Sequence, residues 1–170
     1  MKYLFLLFLI PIFMSCATST KKISSIKNFK SEEYLGKWYE IARLDHSFER
    51  GLDFVSASYS IKDDGKIQVL NQGVKPDGTN STAIGKAYVK DSPDNSGELG
   101  VSFFWIFYAK YKIIYLDENY ETAIVTSGRK NYLWILSRKS KIQQDKMNEL
   151  LNFCKSNGFE TEKLIFPKHK

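Results

Sequence analysis

The chain of 170 residues contains two histidines, His46 and His169, which lie far apart in the sequence. A metal centre or a catalytic triad built on histidine needs several such groups close together. Asp45, His46 and Ser47 are adjacent, but consecutive side chains of an extended segment point to opposite sides and cannot form a relay by themselves. The sequence also lacks a phosphate-binding loop and a nucleotide fingerprint. We therefore expect no enzymatic activity, no bound metal and no cofactor.

The charged residues indicate which partners to expect. Lysine and arginine total 25 against 19 acidic residues, which gives a net charge of +6. A nucleic-acid interface requires clustered basic groups with exposed aromatic rings along one face. Here the lysines are scattered between predicted strands and at both termini. The sequence therefore predicts no nucleic-acid partner and only a mild preference for acidic surfaces.

The N-terminal segment has the pattern of an export signal. Met1 and Lys2 precede an apolar run over 3–14, which is too short to span a bilayer and matches the core of a signal peptide. Ser15 before Cys16 resembles the processing site of bacterial lipoproteins, which implies that Cys16 becomes the lipidated terminus. Ala17, where an Asp would retain such a protein in the inner membrane, favours the outer membrane. The alternative is an ordinary secretory signal with Cys16 as a bystander.

These features divide the chain into a signal peptide at 1–15, a flexible tether at 16–30 and one domain at 31–170. The tether is rich in Ser, Thr and Lys and has no periodicity. Loss of Lys2 with the signal lowers the net charge to +5. With Cys16 lipidated, Cys154 is the remaining thiol, so no internal disulfide can form. The domain must be held together by packing.

Short apolar alternations separated by turn residues predict a meander of antiparallel strands. We place eight strands at 37–45, 54–62, 66–74, 81–90, 98–104, 111–116, 122–127 and 132–138. Eight such strands can close into an up-and-down β-barrel that holds one small ligand. The predicted fold is therefore all-β, preceded by one short helical turn at 31–36.

The period changes after residue 138. Met147, Leu150, Leu151 and Cys154 follow helical spacing, which predicts an α-helix packed on the outside of the barrel. Ser140 and Gln143 can cap this helix, and Gly158 can end it. The segment 163–166 predicts a final strand.

Two stretches about a hundred residues apart predict how one end of the barrel is closed. Gly36 allows a sharp turn, and Trp38 is large enough to plug the barrel. Arg138, at the end of the last strand, can stack on the indole and donate hydrogen bonds to nearby carbonyls. We assign these three residues a structural role at the closed end.

Gly36, Trp38 and Arg138 together resemble the lipocalin family. The segments 37–43, 46–52 and 132–138 are most similar to the bacterial outer-membrane lipoprotein lipocalins, and the resemblance covers about residues 31–166. It implies a carrier for a fatty acid or lysophospholipid that is anchored by lipid to the periplasmic side of the outer membrane.

Strand alternation predicts which side chains face the barrel interior. The inward candidates are Ala57, Tyr59, Asn71, Ala87, Val101, Phe103, Tyr111, Ile113, Tyr115, Val125, Tyr132 and Trp134. Small residues beside large aromatic residues favour a hollow interior. A barrel filled by its own side chains remains the alternative.

In an up-and-down meander, the opposite end forms the mouth. The segments 44–53, 75–80, 104–110 and 128–131 meet there. Residues 104–108, which include Phe107, form an apolar aromatic loop that fits a lid, a tip dipping into a membrane or a contact in a homodimer. Arg50, Lys110 and Arg129 are expected to surround the mouth, where basic groups suit a ligand with an acyl tail and an anionic head.

Two functional hypotheses follow. The first is a lipid carrier in the cell envelope that binds one acyl chain in its barrel. The second is a structural or stress-related envelope lipoprotein whose barrel is packed shut and takes no ligand.

Overall fold

The computed structural model describes residues 23–104 and 106–169. The predicted signal peptide, Cys16 and the first part of the tether lie outside the described residues, as does Trp105. Within the part described, no helix combines the length and apolar character needed to cross a membrane.

Eight antiparallel strands form a closed barrel in sequence order. They are β1 (Gly36–Arg43), β2 (Asp53–Ile61), β3 (Ile67–Val74), β4 (Asn80–Val89), β5 (Glu98–Phe104), β6 (Phe107–Leu116), β7 (Thr122–Thr126) and β8 (Trp134–Ser137). Pairing of β1 with β8, in which Tyr39 lies opposite Ser137, closes the barrel. The predicted all-β barrel is confirmed, although β8 is shorter than expected.

A helical turn and an outer helix complete the fold. The turn α1 (Ser31–Tyr34) leads directly into β1, and the helix α2 (Gln144–Ser156) covers one side of the barrel. Leu150 and Cys154 of α2 are fully buried in an outer cluster with Ile124 of β7, Ile135 of β8 and Leu133, which directly precedes β8. The strands under the helix are therefore apolar on both faces.

The segment after α2 differs from the expected final strand. Thr161–Lys163 form a 3-10 turn, and Ile165 makes a single antiparallel bridge to Arg43. The chain crosses the edge of β1 there without continuing along it. The prediction of a strand over 163–166 is therefore wrong.

The second half of the predicted tether belongs to the domain. The amide of Ile26 donates to the carbonyl of Ile113 at 2.9 Å, and the amide of Phe29 donates to the carbonyl of Asn95 at 2.8 Å. Phe29 is buried, and its ring lies 5.4 Å from that of Tyr34. Burial of these apolar side chains holds residues 23–30 against the barrel, so the packed domain begins before residue 31.

Two irregularities change the predicted pattern in β6. The strand begins at Phe107, so most of the predicted loop 104–110 belongs to the β5–β6 hairpin. A register shift between Ile113 and Tyr115 then reverses the alternation. Tyr115 points outward, where its hydroxyl donates to Glu149 of α2 at 2.6 Å. The prediction that Tyr115 faces the interior is therefore wrong.

Candidate ligand-binding site

Trp38 and Arg138 close one end of the barrel. Trp38 is fully buried, and its indole N–H donates to the carbonyl of Tyr34 at 2.8 Å. The Arg138 guanidinium lies 4.0 Å from the centroid of the indole, a cation–π geometry. It also donates hydrogen bonds to three backbone carbonyls, those of Glu33, Lys37 and Tyr120. One side chain thus joins α1, β1 and the β6–β7 turn.

Gly36 permits this arrangement. Its φ is +92°, and a Cβ added there would lie 3.2 Å from Nη1 of Arg138. A residue with a side chain would be strained by the positive φ and crowded by the guanidinium. The three predicted closed-end residues therefore lie in mutual contact.

Next to the tryptophan, three tyrosines joined by hydrogen bonds form the floor of the interior. The hydroxyl of Tyr111 lies 2.7 Å from that of Tyr34 and 2.9 Å from that of Tyr59. Burial raises the pKa of Tyr59 to about 12. It also raises the pKa values of Tyr34 and Tyr111 well above the usual value for a tyrosine. The floor therefore stays neutral and hydrogen-bonded at physiological pH.

The interior becomes more exposed towards the mouth. On the inward face of β4–β6, Ala83, Phe103 and Ala109 near the mouth are exposed, and Phe103 is 43% exposed. Nearer the closed end, Ala87 and Ile113 on the same face are buried. Because these side chains all face inward, the gradient indicates a space open to solvent above a packed floor.

The predicted cavity residues divide along this gradient. Tyr59, Ala87, Val101, Ile113 and Val125 are buried, Ala57, Asn71, Tyr111, Tyr132 and Trp134 are partly buried, and Phe103 is exposed. Tyr132 lies before β8 instead of within it. Its ring centroid is 6.1 Å from that of Trp134, so the two rings are neighbours at the mouth.

A buried polar cluster, which the sequence analysis did not predict, lies on the β1 and β8 side of the interior. Arg43 donates to Glu40 at 2.5 Å and to the carbonyl of Glu49 at 2.8 Å. The indole N–H of Trp134 donates to Glu49 at 3.0 Å, and Nε2 of His46 lies 3.1 Å from the same carboxylate. The β1–β2 loop is therefore fixed against this part of the wall.

The carboxyl groups of the cluster have opposite pKa shifts. Burial and the negative charge of Glu49 raise the pKa of Glu40 to about 8, because they outweigh the effect of Arg43. Burial opposes ionisation of Glu49, but hydrogen bonds from His46 and Trp134 and the charge of Arg43 hold its pKa below the usual value. At neutral pH, Glu40 is therefore mainly protonated and Glu49 is ionised.

The sequence contained part of the signal for this cluster. Glu40 is two residues after Trp38, so strand alternation places its carboxyl on the same inward face of β1. A register shift between Glu40 and Ala42 then turns Arg43 inward, and local alternation does not predict such a shift. His46 and Glu49 reach the site through loop conformation.

The predicted basic mouth is only partly assembled. Arg50 is exposed and pairs with Asp45 at 2.6 Å, so its charge is partly offset by that carboxylate. Lys110 pairs in register with Gly100, next to the inward pair Leu99 and Tyr111, and therefore lies on the outer wall. That corrects its predicted position at the mouth. Arg129 in the β7–β8 loop and Phe107, which is 70% exposed, lie at the mouth.

A barrel plugged at one end and open above a floor at the other is a binding architecture for one small ligand. Within residues 23–104 and 106–169, no group of three or more His, Cys, Asp or Glu side chains is arranged to hold a metal ion.

The chain belongs to the lipocalin-like family, whose domain model matches residues 29–169. It is 45% identical over 155 residues to the outer membrane lipoprotein Blc of Citrobacter freundii, covering 91% of this chain and 87% of that protein. It is 36% identical over 148 residues to apolipoprotein D of Macaca fascicularis, covering 81% and 76%. These identities agree with the family resemblance found in the sequence.

Solved structures support the same fold. Insecticyanin from the tobacco hornworm Manduca sexta matches with a TM-score of 0.71 and 19% identity, covering 87% of this chain and 85% of that one. The cockroach allergen Per a 4 matches with a TM-score of 0.69 and 15% identity, covering 86% and 92%. At these identities the matches establish the fold alone.

Proposed function

We propose that this protein is a lipid-anchored carrier that binds one acyl chain in the mouth half of its barrel and stores or transports lipid in the cell envelope. The ligand is a fatty acid or a lysophospholipid. The observation that carries the proposal is the exposed inward face of β4–β6 around Ala83, Phe103 and Ala109. An apolar interior open at one end favours a ligand with a long apolar tail.

The acyl chain enters beside Trp134 and ends above the hydroxyl groups of Tyr59 and Tyr111. Its head group stays at the mouth near Arg129. Arg50 contributes less to head-group binding than the sequence indicated, because its guanidinium is hydrogen-bonded to Asp45. Lys110 contributes nothing to head-group binding, because it lies on the outer wall. Recognition then depends mainly on the tail, so ligands with different head groups should bind with similar affinity.

The anchor is a lipidated Cys16, and the location is the periplasmic side of the outer membrane. An apolar run of signal length that ends at Ser15 and Cys16 supports this, as does the 45% identity to a protein named as an outer membrane lipoprotein. A diacylglyceryl group with an amide-linked chain anchors a protein stably, whereas one chain is marginal. Substituting Cys16→Ser should release a soluble periplasmic form, and retention in the membrane fraction would contradict the anchor.

The soluble Cys16→Ser form allows the ligand to be tested. Native mass spectrometry of this protein purified from the periplasm should show an added acyl ligand. Titration with palmitate or lysophosphatidylcholine should change tryptophan emission at micromolar ligand. The Trp134→Phe variant should lose most of that signal while keeping its fold, which circular dichroism checks, with a lower melting temperature because Glu49 loses the indole hydrogen bond. If neither lipid binds, or if the signal comes entirely from Trp38, the packed barrel without a ligand replaces this proposal.

A further inference from the structure

The β5–β6 hairpin carries an exposed apolar tip at the mouth. Phe104 is 74% exposed, Ile106 is 67% exposed and Phe107 is 70% exposed. Phe48 of the β1–β2 loop is 61% exposed at the same end. Large apolar side chains exposed close together on one hairpin form the kind of patch that marks a contact surface. Here the patch lies at the rim of the opening through which a ligand must pass.

The outer wall behind the tip changes from apolar to amphipathic and then to cationic residues. The Tyr108 ring lies 5.2 Å from the Tyr88 ring, and Nζ of Lys86 lies 5.6 Å from the Tyr108 centroid. Lys110 follows on the same outward face. Tyrosine rings belong at the level of lipid head groups, and lysine stems extend their charges towards water and phosphate. This order matches the depth profile of a membrane surface.

The position of the anchor is compatible with this orientation. The carbonyl of Ile23 accepts a hydrogen bond from Nζ of Lys112 at 3.5 Å, so the described chain begins beside the middle of β6. Seven residue steps from Cys16 to Ile23 span at most about 24 Å when extended. From Lys112 to Phe107, five residues of strand cover roughly 17 Å. The chain before Ile23 is therefore long enough for the lipid and the tip to reach one membrane surface.

We propose that the tip formed by Phe104, Ile106 and Phe107 inserts into the interface of the membrane that holds the lipid anchor, so that the mouth faces the bilayer. A ligand then passes between the bilayer and the barrel without crossing water. This inference rests on the proposed attachment at Cys16, but tip insertion is a separate property and can be measured without the anchor.

The first test places a fluorescent label at the tip. In the lipidated protein Cys16 is blocked and Cys154 is fully buried, so a Phe107→Cys variant offers one reactive thiol. The label is NBD, the vesicles contain phosphatidylethanolamine and phosphatidylglycerol, and the quencher is a doxyl phospholipid. Asn119→Cys in the exposed β6–β7 turn at the closed end is the matched control. Insertion should make quenching at 107 at least about threefold stronger than at 119. Equal quenching at both positions would overturn the proposal.

The second test uses the Cys16→Ser form with the same vesicles. Changing Phe104, Ile106 and Phe107 together to Ser should lower the vesicle-bound fraction about tenfold, because each large apolar side chain contributes to partition. Ile61→Ser is the control, since Ile61 is 56% exposed at the closed end of β2. Palmitate titration of the triple variant tests the carrier function independently. If the triple change leaves vesicle binding intact but abolishes a dimer seen by analytical ultracentrifugation, the tip binds a second copy and the membrane proposal is wrong.

Discussion

At the scale of single residues, the least expected feature is a buried hydrogen-bonded contact between the Arg43 guanidinium and the Glu40 carboxyl in the barrel wall. The side chains of Arg43 and Glu40 are 1% and 3% exposed. Removing one partner of such a pair leaves an uncompensated buried group and costs about 3 to 5 kcal/mol, whereas an intact pair can be nearly neutral. Glu49, which is close enough to alter the ionisation of Glu40, makes this balance depend on pH.

The Glu40 carboxyl should make the protein less stable as the pH rises. Its folded pKa of about 8 lies above the ordinary value of 4.5, so the folded state holds its proton more tightly. This contribution is complete below about pH 4.5 and is lost as the pH approaches 8. Glu49 acts in the opposite sense, because its lowered pKa weakens the fold only in more acid solution.

Glu40→Gln should therefore flatten the decline in unfolding free energy between pH 5 and 8, as measured by urea titration at several pH values. Glu98→Gln is a suitable control, since that carboxyl has a lowered pKa because Lys112 bonds to it. A decline of equal slope in the Glu40→Gln variant would show that this carboxyl is not its source.

Trp38→Ala and Arg138→Met should each destabilise the fold by about 2 to 4 kcal/mol, with Trp38→Ala at the upper end. The first leaves a cavity, and the second removes the stacked cation and three hydrogen bonds to carbonyls. Urea titration measures the loss. Palmitate affinity below the unfolding transition should remain unchanged, because both side chains lie at the closed end of the barrel, away from the mouth. Lost binding with unchanged stability would place them in the ligand site.

At the scale of elements, α2 and the register shift in β6 together determine the outer wall. The shift places Ile114 and Tyr115 in the outer cluster and Leu116 beside the inner one. The hydroxyl of Tyr115 then bonds to Glu149 on α2. The helix is therefore held by a polar contact as well as by burial of Leu150 and Cys154.

Because burial raises the pKa of the Cys154 thiol to about 12, this residue should resist labelling while α2 is docked. We expect the Cys16→Ser form to react with DTNB at least about a hundredfold more slowly than in 6 M guanidinium. Ser156→Cys, at the exposed end of α2, should react rapidly and serves as the control. Rapid reaction of the native Cys154 would mean that α2 leaves the barrel readily.

At the scale of the whole molecule, the two ends of the barrel differ in packing. The closed end is plugged by Trp38 and Arg138, and the side of the interior next to β1 and β8 is filled by the polar cluster. The remaining space lies along β4–β6 near the mouth. The fold thus combines a packed core, which supplies stability, with an open region available for a ligand.

Filling that open region should block binding. Ala83 faces inward opposite Asn71 and is exposed, so Ala83→Phe places a ring where the acyl chain is proposed to lie. Palmitate affinity should fall about tenfold or more, with little change in melting temperature. Ile84→Phe is the matched control, because Ile84 is the next residue and lies 65% exposed on the outer face. Equal affinity in the two variants would locate the ligand elsewhere.

The sequence alone determined the fold and which end of the barrel is closed. Period-two alternation and turn residues set the number and order of the strands, and an up-and-down order places Trp38 and Arg138 at the same end. The inward assignments of Tyr59, Ala87 and Val125 follow from the same local rule, because alternation depends only on neighbouring residues.

Only the tertiary structure decided the features that depend on register and on long-range contacts. Shifts in β1 and β6 turned Arg43 inward and Tyr115 outward, which no local pattern encodes. Residues 23–30 became part of the domain because strands distant in sequence supplied their partners. The charge at the mouth depended on whether Arg50 was already paired and on which face Lys110 occupied. Each of these outcomes depends on distances between side chains, which are fixed only when the barrel closes.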